Sequence, residues 1–239
     1  MNLVTLQFKT TEDFNQNLRT LTAYIKNTLD DSIVVAPELC LNGYAYDRLD
    51  EAVAITQKAI KELLELSKNK TIITTLTTKY KNSHQNTLHL FHKGKILHTQ
   101  SKNKLFILND ERKYFSPGEQ EDIKIIDMDG IKIGFVICFE LRFIDFWQQL
   151  KGADIICIPS MWGLPRKEHF ETLCQALAVA NQCYVVASNS SNDDMASSSA
   201  IITPFGIQNI DDKQEKIEQN FDYHEIKKMR RYMNIGIPY

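Results

Sequence analysis

The chain has 239 residues, 43% of them hydrophobic and 24% charged, and a formal net charge of −2. These values exclude a disordered chain, a collagen-like chain and a polyelectrolyte tail. The near-neutral balance carries no global signal for nucleic acid or an anionic membrane as partner. One large domain, 1–239, is the expected organisation, because a chain of this length buries a core without staples.

The start, from Met1 to Lys9, has no basic segment leading into a long apolar run, so no signal peptide is expected. No apolar stretch approaches the roughly 18 residues of a membrane span. Five cysteines (Cys40, Cys138, Cys157, Cys174 and Cys183) form no Cys-x-x-Cys pair. That pattern fits reduced thiols and a cytoplasmic setting better than a disulfide framework.

Strands and helices alternate along the chain. A short strand at Val4–Phe8 precedes a helix over Asp13–Leu29, whose apolar stripe is Phe14, Leu18, Leu21, Ile25 and Leu29. Pro37 ends a strand at Ser32–Ala36; a second helix covers Asp50–Ser67, and the β-branched run Thr71–Thr77 is a strand. Thr87–His92 and Lys95–Thr99 make a hairpin about Lys93-Gly94. Lys102–Gly118 lacks a clean period and reads as a long ordered loop, a length that is often functional. Ile123–Met128 and Ile131–Ile137 form a second hairpin about Asp129-Gly130, followed by a short helix at Phe143–Leu150. A buried strand at Ala153–Ile158, a helix at Lys167–Gln182 and a strand at Tyr184–Ser188 come next, then a strand–turn–strand over Ser198–Ile210. A C-terminal tail from about 215 ends in a helix at Tyr223–Tyr232, whose Lys227, Lys228, Arg230 and Arg231 read as a solvated helix end. Helices of about 15 residues between apolar strands predict α/β layers with helices outside, and the hairpins predict mixed sheets.

Three residues with chemical potential share one setting, the end of a strand: Glu38 in Ala36-Pro37-Glu38-Leu39, Lys102 in Ser101-Lys102-Asn103, and Cys138 in Ile137-Cys138-Phe139-Glu140. Strand ends are where ligands and reactive groups gather in α/β sheets. Singly, each has an ordinary explanation: a carboxylate near a helix start, a solvated lysine, a small buried thiol. Together they supply a nucleophile, a base and a cation. His89 and His92 are three apart on a strand and point to opposite faces, so they make poor joint metal ligands. His169, on a surface helix, gives no papain-like partner for Cys138. No phosphate loop or dinucleotide glycine pattern is present.

At these residues the chain resembles the nitrilase, or carbon–nitrogen hydrolase, superfamily. The glutamate motif resembles Ala36-Pro37-Glu38-Leu39 with Gly43-Tyr44, and the lysine motif resembles Lys102-Asn103-Lys104-Leu105-Phe106. Glu111 to Gly118 is similar to the Glu-x-x-Tyr-Phe-x-x-Gly segment that follows, and Gly134 to Phe143 to the cysteine motif. The segment from Gly152-Ala153-Asp154 to Pro159-Ser160-Met161-Trp162 also resembles the family, so the likeness runs from Val4 to about Arg231. It implies a single-domain four-layer αββα sandwich of α/β class. It further implies Glu38 as general base, Lys102 as cationic stabiliser, Cys138 as nucleophile and Glu111 as a second glutamate beside them. Glu111 then either orients Lys102, passes protons or is a structural partner of that lysine.

The physical chemistry is coherent with that assignment. Glu38 and Lys102 together would favour the attacking thiolate, and Lys102 with the amide of Phe139 would hold a tetrahedral oxygen. Tyr44, Phe139 and Trp162 are the expected substrate contacts, with Trp162 a pocket wall in preference to core. Arg142 is read as the salt-bridge partner of a nearby carboxylate in preference to a substrate clamp. The chain departs from the family at Lys104, where a histidine is usual, at Ile144-Asp145, at Leu177–Asn181 and at Ala196. The expected function is cofactor-free and metal-free hydrolysis of a small linear amide, an ω-amide or an N-carbamoyl compound, with release of ammonia. The expected assembly is a homodimer or higher homo-oligomer. The alternative is a catalytically silent binding protein on the same fold.

Overall fold

The computed structural model describes residues 1–237. Strand β1 (Asn2–Leu6) leads to helix α1 (Phe14–Lys26), whose first turn Asp13 caps by accepting from the Gln16 amide. Strand β2 (Ser32–Val35), helix α2 (Leu49–Leu66) and strand β3 (Thr71–Tyr80) follow, and β4 (Ser83–His92) and β5 (Lys95–Ser101) continue as hairpins. A single helical turn, α3 (Glu111–Tyr114), separates this half from the next. There β6 (Ile126–Met128), β7 (Ile131–Phe135), α4 (Ile144–Gln149), β8 (Ile155–Pro159), α5 (Lys167–Asn181), β9 (Tyr184–Ser188), β10 (Ala200–Ile202) and β11 (Gln208–Ile210) succeed one another. Strand β12 (Lys216–Asn220) and helix α6 (Tyr223–Tyr232) come last.

The strands form two six-stranded mixed sheets, ordered β12-β1-β2-β3-β4-β5 and β11-β10-β9-β8-β7-β6. Each has three parallel strands at its centre, β1–β3 in one and β7–β9 in the other, with antiparallel strands outside. The period-2 alternation of the first sheet explains the layering. Leu3, Ile33, Val35, Ile73, Leu88 and Leu90 face the second sheet, while Val4, Leu6, Val34, Ile72 and Phe91 face α1 and α2. Strands buried on both faces read as near-continuous apolar runs, as Ile33–Val35 of β2 and all of β8 do. Helices α4 and α5 cover the second sheet through Phe146, Trp147, Phe170, Cys174 and Leu177. The layers therefore run helix, sheet, sheet, helix: the αββα sandwich. Two hydroxyls stitch the sheets at the centre, Thr5 donating to the Ala187 carbonyl and Ser188 to that of Leu6.

Several sequence expectations need correction. The β3–β4 hairpin extends to Tyr80 and Ser83, well past the predicted ends. The residues between the predicted strands, Thr78, Gln85 and Asn86 among them, are polar and show no apolar alternation, yet their backbone continues the ladder. The loop 102–118 contains α3, one turn too short to show a period. The chain from about 215 is not a tail at first: β12 pairs antiparallel with all of β1, its Ile217 being its single buried apolar contribution. One apolar residue in five gives no readable alternation, so tertiary pairing alone makes this strand. Arg230 is not a solvated helix end either; it is 3% exposed and pairs with Asp154 at 3.0 Å. Among the described residues no helix is long and apolar enough to cross a membrane.

Candidate active site

Glu38, Lys102 and Cys138 converge where the parallel strands of both sheets end. Glu38 follows β2, and its amide donates to the Ser160 carbonyl just beyond β8, which locks the two sheet ends together. The turn after it puts Leu39 at φ +45°, with the Asn42 and Gly43 amides both returning to the Leu39 carbonyl. Lys102 follows β5, and its carbonyl accepts from Gly118 at 2.9 Å. A Cβ at Gly118 would lie 2.2 Å from the Ser101 carbonyl, so only glycine lets the returning loop close on the lysine. Cys138 opens a 3-10 turn (Cys138–Arg142) after β7, with φ +47°. A non-glycine residue in the left-handed region is strained, and such strain is held by its surroundings.

Glu140 is that surrounding. Its carboxylate, 0% exposed, accepts from Ile137 in its own turn at 2.8 Å and from Asn103 across the site at 2.6 Å. It therefore ties the cysteine turn to the lysine loop. Burial pushes its pKa up to about 7, although the amides of Ile137, Asn103 and Lys104 favour its charged form.

The ammonium of Lys102 is fully enclosed, and its donors are all engaged: 2.8 Å to Glu38 Oε1, 2.7 Å to Glu111 Oε1 and 3.1 Å to the Tyr44 hydroxyl. Burial alone would drive this lysine toward neutrality. The charges of Glu38 and Glu111 outweigh burial and hold its pKa above the ordinary lysine value. Glu38 Oε1 also accepts from Asn86 Nδ2 at 2.8 Å, and its Oε2 from the Met161 amide at 3.1 Å. Glu111 Oε2 is fixed by the Phe106 amide at 2.7 Å. Burial, and then the charge of Glu38, push the Cys138 thiol well above an ordinary cysteine, while Lys102 pulls it down. The two charged neighbours thus act on the thiol in opposite directions, the Glu38 carboxylate disfavouring its anion and the Lys102 ammonium favouring it, where both were expected to favour the thiolate.

Tyr44 sits inside this cluster, and the substrate contact expected of it is also a hydrogen bond to the lysine. Phe139 and Trp162 line a cavity of about 30 Å³ over Cys138 with Phe106 and Met161. Trp162 is both wall and core, since its ring packs on Phe170 and its Nε1 donates to the Arg166 carbonyl at 2.7 Å. Arg142 overturns its expectation: it has no carboxylate partner among the described residues and lies 4.8 Å over the Trp162 ring, donating to His169. The sequence reading gave no role to Asn86 or Glu140, while Asn189, at the start of a loop (189–195) expected to shape specificity, accepts from the Trp162 amide through Oδ1 at 2.8 Å. For Glu140 the signal was its place two residues after the strand-end cysteine; for Asn86, inside a polar stretch, there was none.

The sequence model of the carbon-nitrogen hydrolase family matches residues 3–218. The chain is 32% identical over 204 residues to a 2-oxoglutaramate amidase from Bacillus subtilis, covering 80% of this chain and 78% of the relative. It is 25% identical over 185 residues to omega-amidase YafV from Escherichia coli K12, covering 74% and 69%. Among solved structures it is similar to Saccharomyces cerevisiae Nit3, of branch 10 of the nitrilase superfamily, with TM-score 0.86, 23% identity and coverage of 99% and 95%. An amidase from Nesterenkonia AN1 superposes with TM-score 0.83, 16% identity and coverage of 97% and 94%. With its αββα layers and a family match spanning most of its length, the chain belongs to the carbon-nitrogen hydrolase family.

Proposed function

We propose that this member hydrolyses the C–N bond of a small linear amide, an ω-amide or N-carbamoyl compound, through a thioester on Cys138. The observation that carries the reading is the enclosed Glu38–Lys102–Glu111 cluster, whose charges act on a thiol on a strained strand-end turn. The amide activity named for the relatives supports the same reaction class. Cys138 attacks the carboxamide carbon while Glu38 takes the thiol proton, so no free thiolate need accumulate. The carbonyl oxygen gains charge beside Lys102 and the Phe139 amide. Its place on Lys102 is the one held by the neutral Tyr44 hydroxyl, the longest of the lysine's three contacts. Glu38 returns the proton to the leaving nitrogen, ammonia departs, and a thioester remains. Glu38 then deprotonates a water that attacks this thioester, releasing the acid and restoring the thiol. Glu111 keeps Lys102 aimed and charged throughout.

A screen for ammonia release over ω-amides, N-carbamoyl amino acids and short aliphatic amides tests this, run beside mass-spectrometric mapping of iodoacetamide labelling. Turnover of at least one class is expected, with Cys138 labelled faster than Cys40, Cys157, Cys174 and Cys183, which are sealed in the core. No ammonia from any class, together with an unreactive Cys138, would leave the silent binding protein as the reading.

A further inference from the structure

Asn86 stands on β4 where the inner face of the first sheet turns from core to site. Leu88 and Leu90, two and four residues on, point toward the second sheet, and Asn86 shares their face. It is 1% exposed. Its main-chain carbonyl accepts from the Lys102 amide at 2.8 Å, and its Nδ2 donates to Glu38 Oε1 at 2.8 Å. One residue of β4 therefore holds the backbone of the lysine and the carboxylate of the glutamate.

The carboxylate fixes which way this side chain faces. A carbonyl oxygen turned toward Glu38 would set acceptor against acceptor, so Nδ2 is the atom on Oε1. Oδ1 is then directed elsewhere, buried and without a donor among the described residues. An acceptor left in that state works against folding. A leucine of similar size would avoid it and continue the row of Leu88 and Leu90. Packing alone therefore does not call for an amide here; what the amide adds is its donor on Glu38. The two oxygens of Glu38 are loaded unequally as a result. Oε1 accepts from Lys102 and Asn86, each at 2.8 Å, and Oε2 from the Met161 amide at 3.1 Å. Met161 also lines the cavity over Cys138, so Oε2 is the oxygen toward the thiol.

We propose that Asn86 is a positioning residue of the reaction: holding Oε1 jointly with Lys102, it keeps Oε2 turned to the thiol, so that one oxygen of Glu38 carries the proton in every step. The thiol hydrogen passes to Oε2 as sulfur bonds to the carbonyl carbon, and Oε2 returns it to the leaving nitrogen as the C–N bond breaks. The inference rests on the amide-hydrolase reading and adds to it a residue outside the lining of the cavity. Lys102, Tyr44, Cys138 and, through the lysine, Glu111 are the titratable groups facing Glu38. The Lys102 amide bond uses the backbone of residue 86 and survives a substitution there.

The test is kinetic, with succinamate and N-carbamoyl-β-alanine as substrates. Asn86→Leu removes the donor and the stranded acceptor together. It should lower kcat about tenfold and leave KM within about twofold, since the carboxylate is freed to turn while the cavity is untouched. The acid limb of kcat/KM against pH should move up by about one pH unit, because the ionised carboxylate has lost a donor that favoured it. Asn86→Asp keeps the shape but sets a like charge against Glu38, so its limb should move further. The unfolding midpoint of Asn86→Leu should stay within about 3 °C of wild type or rise. Should that variant fail to fold, Asn86→Asp carries the same readout. An acid limb unmoved in both variants would overturn the positioning role, as would an unchanged kcat. If the wild-type protein releases no ammonia from any amide, the reaction reading fails by itself, and the pH dependence of iodoacetamide labelling at Cys138 decides the rest. An upward shift of that profile in the variants keeps Asn86 as the holder of Glu38 beside the thiol; no shift removes it.

Discussion

Two buried ionic clusters lie in this molecule, and they are built differently. Arg230 and Asp154, 3% and 1% exposed, form a balanced pair between α6 and the start of β8. Arg230 also donates to the Ala153 carbonyl, and Asp154 Oδ2 accepts from the Lys132 amide, so one charge meets one charge and the backbone holds both. The second cluster sets one lysine against two carboxylates, Glu38 and Glu111, and places a neutral thiol beside them. Its two carboxylates face one ammonium in a buried place, with Glu38 the one whose charge acts on the thiol. A closed pair fixes a helix; an unbalanced one stores the capacity to move a proton.

That contrast can be broken at either end. The largest effect is expected at the thiol, where Cys138→Ala should abolish ammonia release with an unchanged circular-dichroism spectrum. Retention of a tenth of the activity would remove Cys138 from its role. Next come the charges around it: Glu38→Gln and Lys102→Met should each lower kcat by on the order of 10²-fold or more. Because a base without its cation leaves the oxyanion unheld, the double variant should be little worse than the poorer single one. Multiplying losses in steady-state kinetics would show that the two act independently.

The closed pair should respond in stability and not in chemistry. Arg230→Met leaves Asp154 buried without its cation and should cost about 3–5 kcal/mol in denaturant unfolding. Adding Asp154→Asn should return part of that loss, and kcat of the folded protein should stay near wild type. A drop in kcat as large as that of Lys102→Met would mean that the two clusters are coupled. The smallest effect is expected at Lys104, two residues from Lys102 but half-buried, with its ammonium 5.5 Å from the rings of Phe143 and Phe146. Lys104→Met should shift KM modestly or not at all. A loss there matching that expected of Lys102, with Lys102→Met benign, would move the lysine role by two residues.

The strand ends carrying Glu38, Lys102 and Cys138 were legible because each is marked locally, by a proline, a hairpin or an apolar run that stops. The same holds for α1 and α2, whose stripes repeat over several turns. Their convergence was inferred from family resemblance and from the habit of strand ends, since no local rule brings residues 64 and 36 positions apart to one point. What the sequence by itself determined was the alternation of elements, the layers and the residues able to do chemistry, because periodicity and turn signals act over a few residues. The tertiary structure alone decided the rest: that Lys216–Asn220 is a strand, that Arg230 is buried, that Glu140 bridges two loops, that Glu38 and Lys102 act on the Cys138 thiol in opposite directions, and that Arg142 meets no carboxylate among the described residues. Each of these depends on what a side chain meets across the fold, and burial and charge pairing are properties of that meeting, not of the residue.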